Sequence, residues 1–249
     1  MKLSIITVVY NNERTITEAI ESVLGQTYKH IEYIVVDGAS TDGTVDRIAA
    51  FRGDIQHFVS ERDNGIYDAM NKGLALATGD VIGILNSDDV YTNNHVLESI
   101  MEVFKNEPSI DMVYGDLVYV KPDDLSMVVR DWRSAPYYDR YFEDGHVPPH
   151  PSLFLKRRVY EVAGFFNTEM KLTADYELML RLFKKHHFTS KYLPKLFVKM
   201  RLGGSTNKSW KNIILGNREI LKAWKLNGFS APLLLMPYRM LKRLAQFKK

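Results

Sequence analysis

The first half of the chain alternates apolar, β-branched runs with segments of helical spacing, and this alternation restricts the fold more than any other feature. Leu3 to Val9 reads as a buried strand. It is followed by Glu13 to Leu24, where Ile16, Ala19, Ile20, Val23 and Leu24 mark one helix face. Ile31 to Val36 is a second strand, followed by a helix from Thr44 to Phe51. Ile55 to Ser60 leads through the turn Asp63-Asn64-Gly65 into a helix from Ile66 to Ala77, and Val81 to Leu85 leads to a helix from Asn94 to Lys105. Such alternation predicts an α/β fold with a mostly parallel sheet flanked by helices. Ligands of such sheets bind at the carboxyl ends of the strands. The polar clusters Tyr10-Asn11-Asn12, Asp37 to Asp42 and Asn86 to Asp89 all fall there.

Beyond residue 110 the pattern changes. Met112 to Val120 and Met127 to Trp132 read as strands, Ala135 to Pro151 as a loop, Ser152 to Leu155 as a short strand and Ala174 to His186 as a helix. Two basic amphipathic helices close the chain, one marked by Trp210, Ile213, Ile214, Ile220, Leu221 and Trp224, the other running from Leu233 to Phe247. No secretory signal is read at the N-terminus, and no uninterrupted apolar stretch of about 18 residues predicts a spanning helix. There are no cysteines, which excludes thiolate metal sites and cysteine nucleophiles and suits a cytoplasmic protein. The net charge of +3 hides an asymmetry: Lys191 to Lys249 holds 14 Lys and Arg against one acid, Glu219. A basic tail of this kind seeks phosphates, on an anionic membrane surface, a lipid diphosphate or nucleic acid; the plainer alternative is a solvated helix face.

Asn86-Ser87-Asp88-Asp89 places adjacent carboxylates where a strand ends. Two such groups repel unless a positive charge lies on them, and a divalent cation gripping a diphosphate is the natural candidate. Asp37 ends the second strand and suits the N3–H of uracil, although the residues after it equally suit a helix cap. Tyr10, followed by two amides and no glycine, suits a stacked base and argues against a dinucleotide-binding dehydrogenase. Asp68 and Lys72 share a helix face, as a surface ion pair or as partners for sugar hydroxyls and phosphate. Asp175, in the first turn of its helix, is either a dipole-favoured carboxylate or a general base. His150 sits in a proline-stiffened loop, either as a structural group or as a ligand to metal or phosphate.

Taken together, Thr7 to Asn11, Val36 to Thr44, Asp63 to Gly73, Ala77 to Asp80 and Leu85 to Asp89 resemble a family 2 inverting glycosyltransferase of the GT-A fold, in the branch that assembles bacterial O-antigen and capsule repeat units. The resemblance is strong over 1–115 and looser to Thr206. It implies a glycosyltransferase domain at 1–206, with a nucleotide-sugar half at 1–115 and an acceptor half at 116–206; the basic helices at 207–249 lie outside it. It further implies that Thr7 and Tyr10 line a uracil pocket, Asp37 binds the uracil edge and Asp88 meets ribose or sugar. Asp89 would hold Mn²⁺ or Mg²⁺ on the diphosphate, and Asp175 would be the catalytic base. Ala174 stands where many relatives carry Glu. Gly203 to Thr206 resembles the family's final active-site loop. The implied partners are a UDP-sugar and a lipid-linked saccharide, at the inner face of the plasma membrane. The competing readings are a non-catalytic nucleotide-sugar-binding protein and a nucleic-acid binder. The second is disfavoured, since an apolar face at helical spacing is better explained by packing or membrane contact.

Overall fold

A computed structural model describes residues 1–203 and 210–246. The chain forms β1 (Leu3–Val9), α1 (Ile16–Leu24), β2 (Ile31–Asp37), α2 (Thr44–Ala49), β3 (His57–Ser60), α3 (Ile66–Leu76), β4 (Val81–Ile84), β5 (Asp89–Tyr91) and α4 (Val96–Asn106). There follow β6 (Met112–Lys121), β7 (Asp124–Trp132), β8 (Leu153–Lys156), α5 (Arg157–Ala163), α6 (Ala174–Leu180), β9 (Ser190–Arg201), α7 (Trp210–Leu226) and α8 (Leu235–Ala245).

The nine strands among the described residues join one sheet, in the order β3-β2-β1-β4-β8-β6-β9-β5, with β7 paired to the later half of β6. The strands β3, β2, β1 and β4 run parallel, as the βα alternation requires. β1 is buried along its whole length because helices cover both faces, and its side chains divide by parity. Ile6 and Val8 pack with α3, α6 and α7, whereas Leu3, Ile5 and Val9 pack with α1 and α4. Each such apolar side chain contributes about 1.5–3 kcal/mol on burial, which fixes the parallel register and so places Val9 opposite Asp37 and Asp37 opposite Ser60.

The second half departs from the sequence reading. Ser190–Arg201, counted above within a basic tail, is a strand that pairs parallel with β6 and antiparallel with β5. Lysines and a proline along it hide the strand signal, yet Phe197 and Val198 lie in the core. The helix expected from Ala174 to His186 is α-helical only to Leu180 and then forms a π-helical turn, Arg181–Lys185. Helix α7 packs on α6 through Ile220, Ala223 and Trp224 and belongs to the same core.

Candidate functional site

Three strand-end loops are stitched together by side chains. After β1, the Asn11 N–H donates to Ser40 Oγ, and Asn11 Oδ1 accepts the Thr41 N–H, each at 2.8 Å. Asn12 donates its N–H to Thr44 Oγ1 and its side-chain amide to Ser87 Oγ, at 2.8 and 2.9 Å. Thr15 Oγ1 donates to the Ser87 carbonyl at 2.9 Å. Asn11 and Ala39 both adopt positive φ, 47° and 61°, conformations that a non-glycine residue holds only where its surroundings impose them. Gly38 lets Asp63 and Tyr10 close over the end of β2, since a Cβ there would fall 2.4 Å from Asp63 Oδ2. The ring of Tyr10 is 63% exposed.

Asp37 is fully buried, and its carboxylate accepts from the Ser40 N–H, Ser40 Oγ and Ser60 Oγ. Thr7 corrects one expectation. Its side chain is fully buried on the α1 and α4 side and accepts the Tyr33 hydroxyl proton at 3.0 Å, so it does not reach a pocket surface. The reason is parity: Thr7 shares a face with Ile5 and Val9.

Asp89 is fully buried at the start of β5. Asn86 donates to its Oδ2 at 3.1 Å, while Oδ1 and the Asn86 Oδ1 find no partner among the described residues. Burial, then the neighbouring Asp88 charge, push the Asp89 carboxyl well above the usual carboxylate range. Arg201, at the end of β9, acts in the opposite direction. Its guanidinium is itself buried and donates to the Asp88 carbonyl at 2.7 Å, the Pro122 carbonyl at 3.0 Å and Glu18. Arg201 escaped the sequence reading because the strand that delivers it did.

A second cluster surrounds Asp175. Tyr67, on α3, donates to Asp175 Oδ1 at 3.0 Å, and its ring stacks on Phe166. Burial first and the Asp175 charge second raise the Tyr67 hydroxyl well above its ordinary value, so it remains a donor. Asn71 holds Phe166 by a reciprocal pair, donating to its carbonyl at 2.9 Å and accepting its N–H at 3.0 Å. Glu177 turns away to Arg181 and Asn227, as its place two residues after Asp175 predicts. Glu219, the lone acid of the basic segment, is buried on α7 and accepts the N–H groups of Lys171, Leu172 and Thr173 at 2.8, 2.9 and 3.0 Å. It thereby anchors the turn that begins α6.

His150 is expected above either as a structural group or as a ligand. Its ring meets the edge of Phe166 at 5.4 Å, and Asp175 partly offsets the burial that lowers its pKa. The loop places it on the Asp175 side, and among the described residues no three His, Asp or Glu side chains form a metal-holding group. Asp68 and Lys72 form a local cluster: Lys72 Nζ pairs with Glu61 at 2.9 Å and donates to the Arg62 carbonyl at 2.7 Å, and Asp68 accepts the Asn64 N–H at 2.9 Å. Of the expected final loop, Gly203 is described and Gly204 to Thr206 lie outside the described residues.

The hydroxyl of Tyr119 on β6 is raised chiefly by burial; Arg130 and Arg243 act against this, and the Asp89 and Asp175 charges add to it. Tyr119 lies parallel to Trp132, with the Arg130 guanidinium over both rings.

Comparison with known proteins agrees with this geometry. An uncharacterized glycosyltransferase of Rickettsia conorii is 30% identical over 193 residues, 73% of this chain; the chain spans only 31% of that relative. The solved structure of Staphylococcus aureus TarS 1-349 in complex with UDP superposes with a TM-score of 0.68 at 19% identity, over 96% of this chain and 68% of that one. The mannosyltransferase PcManGT of Pyrobaculum calidifontis, solved with GDP-Man and Mn²⁺, gives 0.67 at 18% identity, over 97% and 69%. These likenesses establish the GT-A fold. Residues 4–162 match the sequence profile of Glycosyl transferase family 2, and the chain belongs to that family.

Proposed function

We propose that the protein transfers a sugar from a UDP-sugar to a hydroxyl of a lipid-linked glycan in surface-polysaccharide assembly, with inversion at the anomeric carbon. The observation that supports this reading is the buried Asp89 carboxylate beside the stitched strand-end loops, one oxygen of which has no partner among the described residues, in a chain of family 2. An inverting displacement needs the leaving group held on one side of the sugar and a base on the other.

The donor side is formed by the stitched loops. Tyr10 offers an exposed side chain for a base to lie against and Asp88 a partner for ribose; Asp37, buried and engaged by Ser40 and Ser60, reaches the uracil edge only by exchanging those partners. A divalent cation fits at Asp89: one buried oxygen without a partner and a charge that burial disfavours are relieved by positive charge. Since no three-ligand group accompanies it among the described residues, Mn²⁺ or Mg²⁺ would complete its coordination from the donor diphosphate. Such an ion neutralises charge on the departing UDP. Lys72, already paired with Glu61, reaches a phosphate only by exchanging that partner.

On the acceptor side, Asp175 accepts the proton of the attacking hydroxyl. The Tyr67 hydrogen bond fixes which Asp175 oxygen remains available. His150, held largely neutral at pH 7 by burial, forms part of the acceptor wall.

A thermal-shift screen of UDP, GDP, ADP and CMP, each with Mn²⁺ and with EDTA, tests the donor side, because a ligand that binds only the folded state raises its Tm. The expected result is stabilisation by UDP that depends on metal. GDP in place of UDP would change the donor class, and no response to any nucleotide would overturn the reading.

A further inference from the structure

The buried guanidinium of Arg201 does something that the sheet does not require. Backbone pairing already holds the end of β9 to β6: Arg201 lies opposite Val120, and the Leu202 N–H donates to the Val120 carbonyl at 3.0 Å. An apolar side chain would complete that strand end without the desolvation that a buried charge costs. Arg201 is nevertheless only 5% exposed. It directs its N–H groups to three separate stretches of chain. Nη1 donates to the Asp88 carbonyl at 2.7 Å, Nε donates to the Pro122 carbonyl at 3.0 Å, and Nη2 pairs with Glu18 on α1. Pairing of Met200 with Asp89 across β9 and β5 is what brings its neighbour Arg201 to the aspartate loop.

The Asp88 carbonyl belongs to the peptide that joins the two carboxylate-bearing residues. The N–H of the same peptide, on Asp89, donates to the Asn86 carbonyl at 3.1 Å. A peptide unit is planar, so holding its carbonyl and its N–H fixes its plane. That plane sets the directions in which the Asp88 and Asp89 side chains leave the backbone. Two neighbouring carboxylates repel, and a loop without this restraint could relax by turning them apart. The preceding carbonyl, of Ser87, accepts from Thr15 Oγ1 at 2.9 Å. Thr15 and Glu18 are three residues apart at the start of α1 and share one side of it. Consecutive carbonyls of the aspartate loop are therefore tied to one turn of α1, the first directly and the second through Arg201. The other link between the β6–β7 turn and this region, Arg14 to Asp123, stands in solvent on both sides and contributes little.

We infer that Arg201 is a positioning residue for donor binding: by holding the Asp88–Asp89 peptide it sets the two carboxylates for a divalent cation bound together with a nucleoside diphosphate. It acts through the backbone and touches neither cation nor nucleotide. The inference rests on the proposed function, which assigns Asp89 to that cation.

Calorimetric titration of the full chain with UDP, in Mn²⁺ and in EDTA, tests it on Arg201→Met and Arg201→Lys. Arg201→Met should bind UDP at least tenfold more weakly in Mn²⁺ and need a correspondingly higher Mn²⁺ concentration for half-maximal binding, while its affinity in EDTA stays within twofold of wild type. Arg201→Lys keeps the charge but loses the planar fork, and should remain at least threefold weaker in Mn²⁺ alone. Equal losses in Mn²⁺ and in EDTA would mark a merely structural residue and overturn the inference. If Arg201→Met does not fold, Arg201→Lys decides by the same comparison. A metal-dependent wild type with unaffected variants would overturn this inference alone. A wild type that binds no UDP, or binds it equally with and without metal, would overturn the proposed donor site and this inference with it.

Discussion

The proposed donor and acceptor sides are built by opposite means. The donor side consists of short loops that follow β1, β2 and β4, neighbours by the register of the sheet, and its cross-links join residues that each strand end already holds close. The acceptor side gathers Tyr67, His150, Phe166, Asp175 and Glu219 from five stretches of chain that no local pattern joins. A site made of strand-end loops inherits the precision of the sheet. A site made of distant segments needs dedicated anchors, and Asn71 and Glu219 supply the hydrogen bonds that hold Phe166 and the turn before α6.

The contrast is broken most severely by Asp175→Asn. Removing the base should lower kcat by about 10²–10⁴-fold while UDP binding in Mn²⁺, measured by calorimetry, stays at the wild-type value; a parallel loss of UDP affinity would mean that the two sides are not separate. Asp89→Ala should act on the other side. It should weaken UDP binding in Mn²⁺ about tenfold or more, equivalent to ~1.4 kcal/mol, and leave binding in EDTA unchanged.

Glu219→Ala strands three backbone N–H groups ahead of α6, at about 1–3 kcal/mol for each one left without water or a partner. A lower Tm should accompany a fall in kcat at unchanged UDP affinity, and Glu219→Gln should recover part of both. If Glu219→Ala keeps the wild-type kcat once folded, the anchor does not serve Asp175.

The smallest effect lies at the amino ends of the same strands, opposite the proposed donor loops. Buried Glu32 takes hydrogen bonds from Lys2, Ser4 and Thr78 that pull its pKa down from 4.5 to about 2 against the opposing, largest single influence of burial. A lowered folded-state pKa means stability that is full above the unfolded value near 4.5 and lost as pH falls toward 2. Acid unfolding should therefore steepen across that window, and Glu32→Gln should flatten it.

Parts of this molecule were legible before any coordinates. The four parallel strands, their helices and the clusters at Tyr10, Asp37 and Asp89 follow from period and punctuation, because each is decided within some ten residues. Thr7 was misjudged by one step of strand parity, which sends it to the core with Ile5 and Val9. β9 was missed because its partners on β6 are nearly 80 residues away in sequence, and the sheet overrides its lysines and proline. His150 offered two readings in the sequence, structural group or ligand, and the fold of its loop brings it beside Phe166 and Asp175. Sequence by itself determined the layered α/β architecture and the place of the donor loops, through periodic burial. Tertiary structure alone decided that Arg201 meets the aspartate loop, that Glu219 anchors the turn before α6 and that the leucines of α8 face outward. Each of those depends on which distant surfaces come together, and no local period records that choice.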